Sequence, residues 1–236
     1  MAEKTPEEMR EAVLAIREKM AAATREAGRD PAEVQLCAAC KTRTAETVAA
    51  SAALPIDVFG ENHVQELCTN FDAGAYCGKP SHFIGHLQTN KIKKVLGRAS
   101  LIQSVGSEHL LTAIEKEAAK AGIVQNVLLE VNIGGEESKS GVSAKQLLEL
   151  AEQAAELKNI SIKGLMAIPP RGADESVFAH MHELFLTLKE KNLPHVSMEI
   201  LSMGMSGDYE LAIKHGSNLV RIGTGLFGAR NYNTEG

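Results

Sequence analysis

Short apolar runs alternate with longer amphipathic segments along most of the chain. Eight runs with strand character occur near residues 34–40, 56–60, 82–85, 101–105, 127–133, 162–168, 199–203 and 219–223. Helix-like segments lie between them, near residues 44–53, 61–75, 87–97, 107–121, 143–158, 174–191 and 206–215. Repeated strand–helix units indicate a parallel sheet, and eight of them favour a closed (β/α)8 TIM barrel over an open doubly wound sheet.

An additional helix is predicted before the first strand. Thr5-Pro6-Glu7-Glu8 has the pattern of a capping box with proline at the first helical position. The apolar residues that follow recur at helical spacing: Met9, Val13, Ile16 and Met20. No linker, low-complexity tract or charge run interrupts the later pattern, so we predict one domain spanning residues 1–236.

Lys41 directly follows the first apolar run, residues 34–40. This run lacks polar alternation, as is typical of a parallel strand that is buried on both faces. Groups at the carboxyl ends of barrel strands line the ligand site. Partial desolvation there is expected to lower the pKa of Lys41, and the neutral amine can form a Schiff base with a carbonyl. The alternative is a lysine whose aliphatic stem packs at the strand end.

Two glycine-rich stretches, residues 201–208 and 221–228, follow the last two predicted strands. Barrels commonly hold a phosphate in the loops after strands seven and eight, through backbone N–H groups. Gly223, Gly225 and Gly228 also spell GxGxxG, but a dinucleotide fingerprint needs a βαβ unit and a later acidic residue. Only eight residues follow Gly228. We therefore predict phosphate-binding loops, with ordinary glycine-rich turns as the alternative.

Arg221 shares the inner face of the eighth predicted strand with Leu219 and Gly223. A buried guanidinium needs hydrogen-bond acceptors. A ligand ring nitrogen could accept, and so could three carboxylates of the chain: Glu61, Glu130 and Glu199. Spacing alone slightly favours an ion pair with one of these carboxylates.

Composition narrows the functional classes. The net charge is −5 and no basic block occurs, so nothing favours nucleic acid or an anionic membrane as a partner. No apolar stretch approaches the roughly 20 residues that span a bilayer, and the polar N-terminal residues differ from a signal peptide. We expect a cytoplasmic protein. Cys37 and Cys40 form a CxxC, but strand alternation places them on opposite faces, so we expect buried thiols rather than a redox or metal site.

A reactive lysine, phosphate-binding loops and a ring-nitrogen partner together describe a site for pyridoxal 5′-phosphate, PLP. Further motifs are Ala39-Cys40-Lys41, Phe59-Gly60-Glu61-Asn62, and the stretches at residues 82–91, 136–141, 201–206 and 221–228. With these motifs, residues 34–232 resemble the YggS/PROSC family of PLP homeostasis proteins, single-domain relatives of the alanine racemase barrel. Ser81 departs from the bulky aromatic residue that this family often has there, which concerns packing.

The resemblance implies roles for individual residues. Lys41 would carry PLP as a Schiff base, Asn62 would lie against the cofactor, and Arg221 would face the pyridine nitrogen. The last role replaces the ion-pair interpretation. Four residues would hold the phosphate: Ser202, Ser206, Gly223 and Thr224. The roles of three motif residues stay open: His82, His86 and Lys91.

Two functions compete, a non-catalytic PLP carrier and an amino-acid racemase. Racemases of this barrel type add a second β domain and use a tyrosine from a partner chain as the second acid/base. The tyrosines of this chain lie outside the matched site motifs: Tyr76, Tyr209 and Tyr232. We therefore expect a monomeric carrier in PLP (vitamin B6) homeostasis. Its expected partners are PLP, amino acids that form external aldimines with it, and PLP-recipient enzymes.

Overall fold

Eight parallel strands close into a barrel in the computed structural model, which describes residues 4–136 and 140–228. The strands are β1 Gln35–Ala39, β2 Val58–Glu61, β3 Ser81–Phe83, β4 Leu101–Val105, β5 Gln125–Val131, β6 Ile160–Ala167, β7 Val196–Ser202 and β8 Leu219–Ile222. Each strand pairs with the next in the sequence, and β8 pairs with β1 to close the sheet. The (β/α)8 prediction is confirmed.

The helices follow the predicted segments. They are α1 Pro6–Glu26, α2 Ala45–Ser51, α3 Val64–Asp72, α4 Ile92–Val95, α5 Glu108–Ala121, α6 Ala144–Ala155, α7 Glu175–Glu190, α8 Tyr209–Lys214 and α9 Thr224–Phe227. The largest difference is at residues 87–97, where a 3₁₀ turn, Thr89–Lys91, precedes the short α4. Within residues 4–136 and 140–228, no helix is both long and apolar enough to cross a membrane.

The predicted N-terminal helix α1 is present with its capping box. Thr5 Oγ1 accepts from the Glu8 N–H at 3.3 Å, and the Glu8 carboxylate accepts from the Thr5 N–H at 2.7 Å. The buried face of α1 packs on α2, α8 and α9, outside the junction of β8 and β1. Just before α1, Lys4 Nζ donates to the Gly225 carbonyl at 2.6 Å. This contact ties the start of the described chain to the loop after β8.

Apolar side chains fill two layers, one inside the barrel and one between strands and helices. Cys37 packs inside with Val58 and Leu219, whereas Cys40 belongs to the outer cluster. The two thiols thus lie on opposite faces of β1, as predicted from strand alternation. Burial raises the pKa of Cys37 to about 12 and that of Cys40 well above its usual value, so both stay protonated near neutral pH.

Candidate cofactor site

A cavity of about 650 Å³ opens at the carboxyl ends of the strands. Six of the seven predicted site residues line it: Lys41, Asn62, Ser206, Arg221, Gly223 and Thr224. The remaining lining residues include Ile168 and Arg171 after β6 and Asp208 before α8. Because the barrel brings all eight strand ends to one face, residues distant in sequence meet here. The individual roles of these residues stay predictions.

Lys41 lies in a tight turn, two residues beyond β1. Thr42, the next residue, has φ of 64°, a left-handed conformation that is uncommon for residues other than glycine. Its N–H donates to Glu66 Oε1 at 2.9 Å, and Arg43 Nη2 donates to the Gly228 carbonyl at 2.9 Å. The turn that carries Lys41 is therefore held from α3 and from the end of α9. The expected fall in the Lys41 pKa stays a prediction.

The loops after β7 and β8 meet on one wall of the cavity. The Gly225 N–H donates to Ser206 Oγ at 3.2 Å, which joins the two loops. A Cβ on Gly223 would lie 3.1 Å from the Ala39 carbonyl oxygen, so a side chain there would crowd the end of β1. Thr224 is the first residue of α9, where a backbone N–H has no partner within the helix. This wall thus presents hydroxyl and N–H donors that suit a phosphate.

Arg221 reaches the cavity from β8 and is only 5% exposed. Its Nη1 donates to Ser202 Oγ at 2.5 Å and its Nη2 donates to the Ala167 carbonyl at 2.8 Å. Ser202 Oγ in turn donates to Gln103 Oε1 at 2.7 Å. Two hydrogen bonds on the guanidinium fix its orientation at the cavity wall.

Ser202 differs from its predicted position. It is the last residue of β7, and strand alternation directs its fully buried side chain into the barrel rather than into the loop that follows. It does not line the cavity, and its hydroxyl contacts Arg221 and Gln103. The geometry therefore gives no support to Ser202 as a phosphate contact.

The same network continues to His82, for which the sequence suggested no role. Gln103 Nε2 donates to His82 Nδ1 at 2.9 Å. Burial lowers the pKa of His82 to about 4, so the imidazole is neutral and can accept this hydrogen bond. No motif in the sequence marked Gln103. Polar residues at inward-facing positions of neighbouring strands are the sequence pattern that would predict such a network.

The carboxylates proposed as ion-pair partners of Arg221 have other contacts. Glu130 accepts from Ser140 Oγ at 2.7 Å, and Glu199 pairs with Lys163 at 3.3 Å. Glu61 accepts from Asn70 and Tyr76 in the core. Among residues 4–136 and 140–228, Arg221 forms no ion pair with any of the three. Although burial lowers its pKa, an arginine stays charged at neutral pH.

Glu61 ends β2 directly before Asn62 and is fully buried behind the cavity. Asn70 Nδ2 donates to its Oε1 at 2.7 Å and the Tyr76 hydroxyl donates to the same atom at 3.1 Å. Burial raises the pKa of Glu61 to about 7. Tyr76 is thus committed to the core, and Tyr209 does not line the cavity either. Tyr232 lies outside the described residues.

The polar, glycine-containing sequence of residues 134–141 predicts either a mobile flap or a plain solvated loop on the face of the barrel where the strands end. Residues 137–139 lie outside the described part of the chain. After this gap, Val142 forms an isolated parallel backbone bridge with Val131, the last residue of β5. A Cβ on Gly141 would lie 2.7 Å from the Asn132 backbone nitrogen, which explains a glycine at this return of the chain. The choice between flap and loop stays a prediction.

Comparisons with known proteins agree with this geometry. The family model described as alanine racemase, N-terminal domain, matches residues 13–231. A pyridoxal phosphate homeostasis protein of Aquifex aeolicus is 42% identical over 219 residues, which cover 91% of this chain and 95% of that protein. The chain belongs to the pyridoxal phosphate homeostasis protein family.

Two solved structures resemble this homeostasis-family barrel along most of its length. A protein from Bifidobacterium adolescentis has a TM-score of 0.88 at 36% identity and covers 94% of this chain and 95% of its own. PipY of Synechococcus elongatus, solved with PLP bound, has a TM-score of 0.77 at 29% identity and covers 90% of this chain and 100% of its own. The barrel predicted from the sequence is therefore the fold of its relatives.

Proposed function

We propose that this protein binds PLP covalently at Lys41 and takes part in PLP homeostasis without turning over amino acids. The observation that carries the proposal is one cavity that combines Lys41 with the donor-rich wall of Ser206, Gly223 and Thr224. PipY, a structural relative, was solved with PLP bound, and the Aquifex relative is named a PLP homeostasis protein. Both support the same ligand for this chain.

The cavity residues fit the chemical groups of PLP. PLP supplies an aldehyde that condenses with a lysine amine and a pyridine ring that withdraws electrons. Lys41 Nζ is the amine, and Ser206, Thr224 and the Gly223 backbone surround the phosphate. A cavity of about 650 Å³ lies within the size range of small-molecule sites, roughly 300–1,000 Å³.

Arg221 is the residue that we place at the ring nitrogen. Its two hydrogen bonds, to Ser202 and to the Ala167 carbonyl, hold the guanidinium in place. We therefore assign Ser202 to positioning Arg221 rather than to the phosphate. A permanent cation next to the ring nitrogen donates a hydrogen bond but opposes protonation of the ring. Arg221 thus weakens the ring's capacity to withdraw electrons.

A carrier is favoured over a racemase because, among the described lining residues, no tyrosine stands opposite Lys41 as a second acid/base. Racemisation needs proton donors and acceptors on both faces of the substrate. Lys41 supplies one. The described cavity lining contains no tyrosine, and its carboxylate, Asp208, already accepts from the Met205 N–H at 2.6 Å. Four further properties stay predictions: delivery of PLP to PLP-dependent enzymes, a monomeric state, a cytoplasmic location and a single domain over residues 1–236.

Comparing PLP with pyridoxal tests the proposal. Charge-assisted hydrogen bonds contribute about 1.5–3 kcal/mol each, so losing two or more should weaken binding by about 100-fold or more. Absorbance titrations should show that loss for pyridoxal, and Thr224→Ala should show a smaller loss for PLP. Thr112→Ala, an exposed threonine on α5, is the matched control. Equal affinities for PLP and pyridoxal would refute the phosphate wall.

A further inference from the structure

A second cavity of about 370 Å³ lies beside the first, and Asn62 contributes to the lining of both. Its other lining residues are His63, Val64, Gln65, His86, Gln88, Lys91 and Lys94. Three of these, His86, Gln88 and Lys91, belong to the motif at residues 82–91 that the proposed function leaves unused. Polar residues of one motif therefore line a cavity to which the proposed function assigns no ligand.

This second cavity is positively charged within an acidic protein. Four of its lining residues are basic, none is acidic, and the whole chain carries a net charge of −5. Within residues 4–136 and 140–228, the side chains of the four basic residues form no hydrogen bond or ion pair: His63, His86, Lys91 and Lys94. Lys93 lies on α4 beside Lys94 but outside the cavity lining, and it pairs with Glu117 at 3.7 Å. Uncompensated charge in a concave site concentrates anions.

Acidic residues near this cavity have their contacts elsewhere. Burial raises the pKa of Glu130, which accepts from Ser140 Oγ and does not line the second cavity. Glu66 accepts from the Thr42 N–H. No described carboxylate therefore neutralises the cavity lining from within.

Backbone donors add to the side-chain charges. The cavity includes the start of α3, a helix of nine residues whose N-cap, His63, forms no side-chain capping bond. The first N–H groups of a helix have no partner within it, and they favour anions. Asn62 Oδ1 is buried without a hydrogen-bond partner at the partition between the two cavities. An amide there can turn its NH₂ group towards an anion, since the two ends of an amide are nearly isosteric.

The partition itself is tightly packed. A Cβ on Gly85 would lie 2.0 Å from the Asn62 carbonyl oxygen, so the ends of β2 and β3 are in direct backbone contact. His86 follows Gly85 immediately. The close contact therefore sets where His86 stands relative to the start of α3.

We propose that the second cavity binds the phosphate group of a phosphate monoester, next to and separate from the phosphate wall at Ser206 and Thr224. Two lysine cations together with imidazole and helix N–H donors match a dianion better than the single charge of a carboxylate. The ligand is either a phosphorylated pyridine compound or another phosphorylated metabolite, which share this chemistry. The site does not depend on Lys41 binding PLP.

Ring NMR signals of His63 and His86 report on this site directly. Titration of the cofactor-free protein with phenyl phosphate at constant ionic strength should shift both rings saturably. His82, buried in the barrel, should not shift. The double variant with Lys91→Gln and Lys94→Gln should bind at least about tenfold more weakly, a difference of about 1.4 kcal/mol. Lys93→Gln removes one charge outside the cavity lining and should change affinity less than about twofold.

A second comparison separates the two phosphate sites. Thr224→Ala weakens the phosphate wall but should leave the shifts of His63 and His86 unchanged. If Thr224→Ala abolishes these shifts while the lysine double variant retains them, the binding belongs to the first cavity and the proposal fails. Absence of saturable shifts, or acetate binding as tightly as phosphate, also overturns it.

The source of the monoester follows from one further titration. Pyridoxine 5′-phosphate has the ring and phosphate but no aldehyde, so it cannot react with Lys41. Tighter binding than phenyl phosphate supports a phosphorylated pyridine as the ligand. Equal binding of the two supports a site for phosphate monoesters in general.

Discussion

Glu61→Gln should change how the stability of the protein depends on pH. Glu61 is fully buried, and its pKa is raised from 4.5 to about 7, chiefly by burial. At about 1.4 kcal/mol per pKa unit, this rise corresponds to about 3 kcal/mol. Glutamine keeps the oxygen that accepts from Asn70 and Tyr76 but cannot ionise.

The direction follows from proton binding in the two states. Between pH 4.5 and about 7, Glu61 is protonated in the folded chain and ionised in the unfolded chain. The unfolded state therefore binds fewer protons, so the free energy of unfolding decreases as pH rises through this window. Below pH 4.5 the stabilisation is complete, and above about pH 7 it is lost. Glu61→Gln removes this loss.

Urea unfolding of the cofactor-free proteins from pH 4 to 8, followed by circular dichroism, measures the effect. The free energy of unfolding of the variant minus that of wild type should increase with pH by up to about 3 kcal/mol. Other titrating groups cancel in this difference. Glu152→Gln, an exposed glutamate on α6, should give a flat difference. A flat difference for Glu61→Gln as well would refute the raised pKa.

Three further predictions address the site and its supports. Ser202→Ala removes the hydroxyl that Arg221 contacts, so it should cost about 1.5–3 kcal/mol in urea unfolding and weaken PLP binding; wild-type values in both would contradict the positioning role. Gly85→Ala should destabilise by at least about 1–3 kcal/mol, whereas Gly207→Ala, with open space around its Cα, should not, and equal melting temperatures would contradict the close contact. In D₂O with L-alanine, NMR should show that the Cα proton exchanges for deuterium more slowly than about 1 s⁻¹. Faster exchange would support the racemase function instead.

The barrel was predictable because its strands are buried on both faces. Such strands are apolar runs whatever their neighbours, and the helices between them keep a 3.6-residue period. Eight runs fix the topology, and the topology fixes the face on which strand ends meet. Lys41 and the glycine-rich loop that contains Thr224 could therefore be assigned to one face of the barrel from the strand pattern. Asn62 was assigned through the family resemblance, and all three line one cavity. Short elements were less exact, since the turn Thr89–Lys91 and α4 share one predicted helix.

Contacts between distant side chains were not predictable. Ser202 stands on the boundary between strand and loop, and only the exact end of β7 decides whether it faces the barrel or the phosphate wall. The contacts from Arg221 through Ser202 to Gln103 and His82 join four strands. Their formation depends on strand register and side-chain rotamers, which no local sequence pattern encodes.

Borohydride reduction followed by peptide mass spectrometry tests the central claim most directly. Reduction makes a Schiff base between PLP and a lysine permanent, so the modified residue can be identified. We predict that PLP is attached to Lys41, and that Lys41→Ala folds normally but carries no such adduct. PLP attached to another lysine, with Lys41 unmodified, would contradict the account.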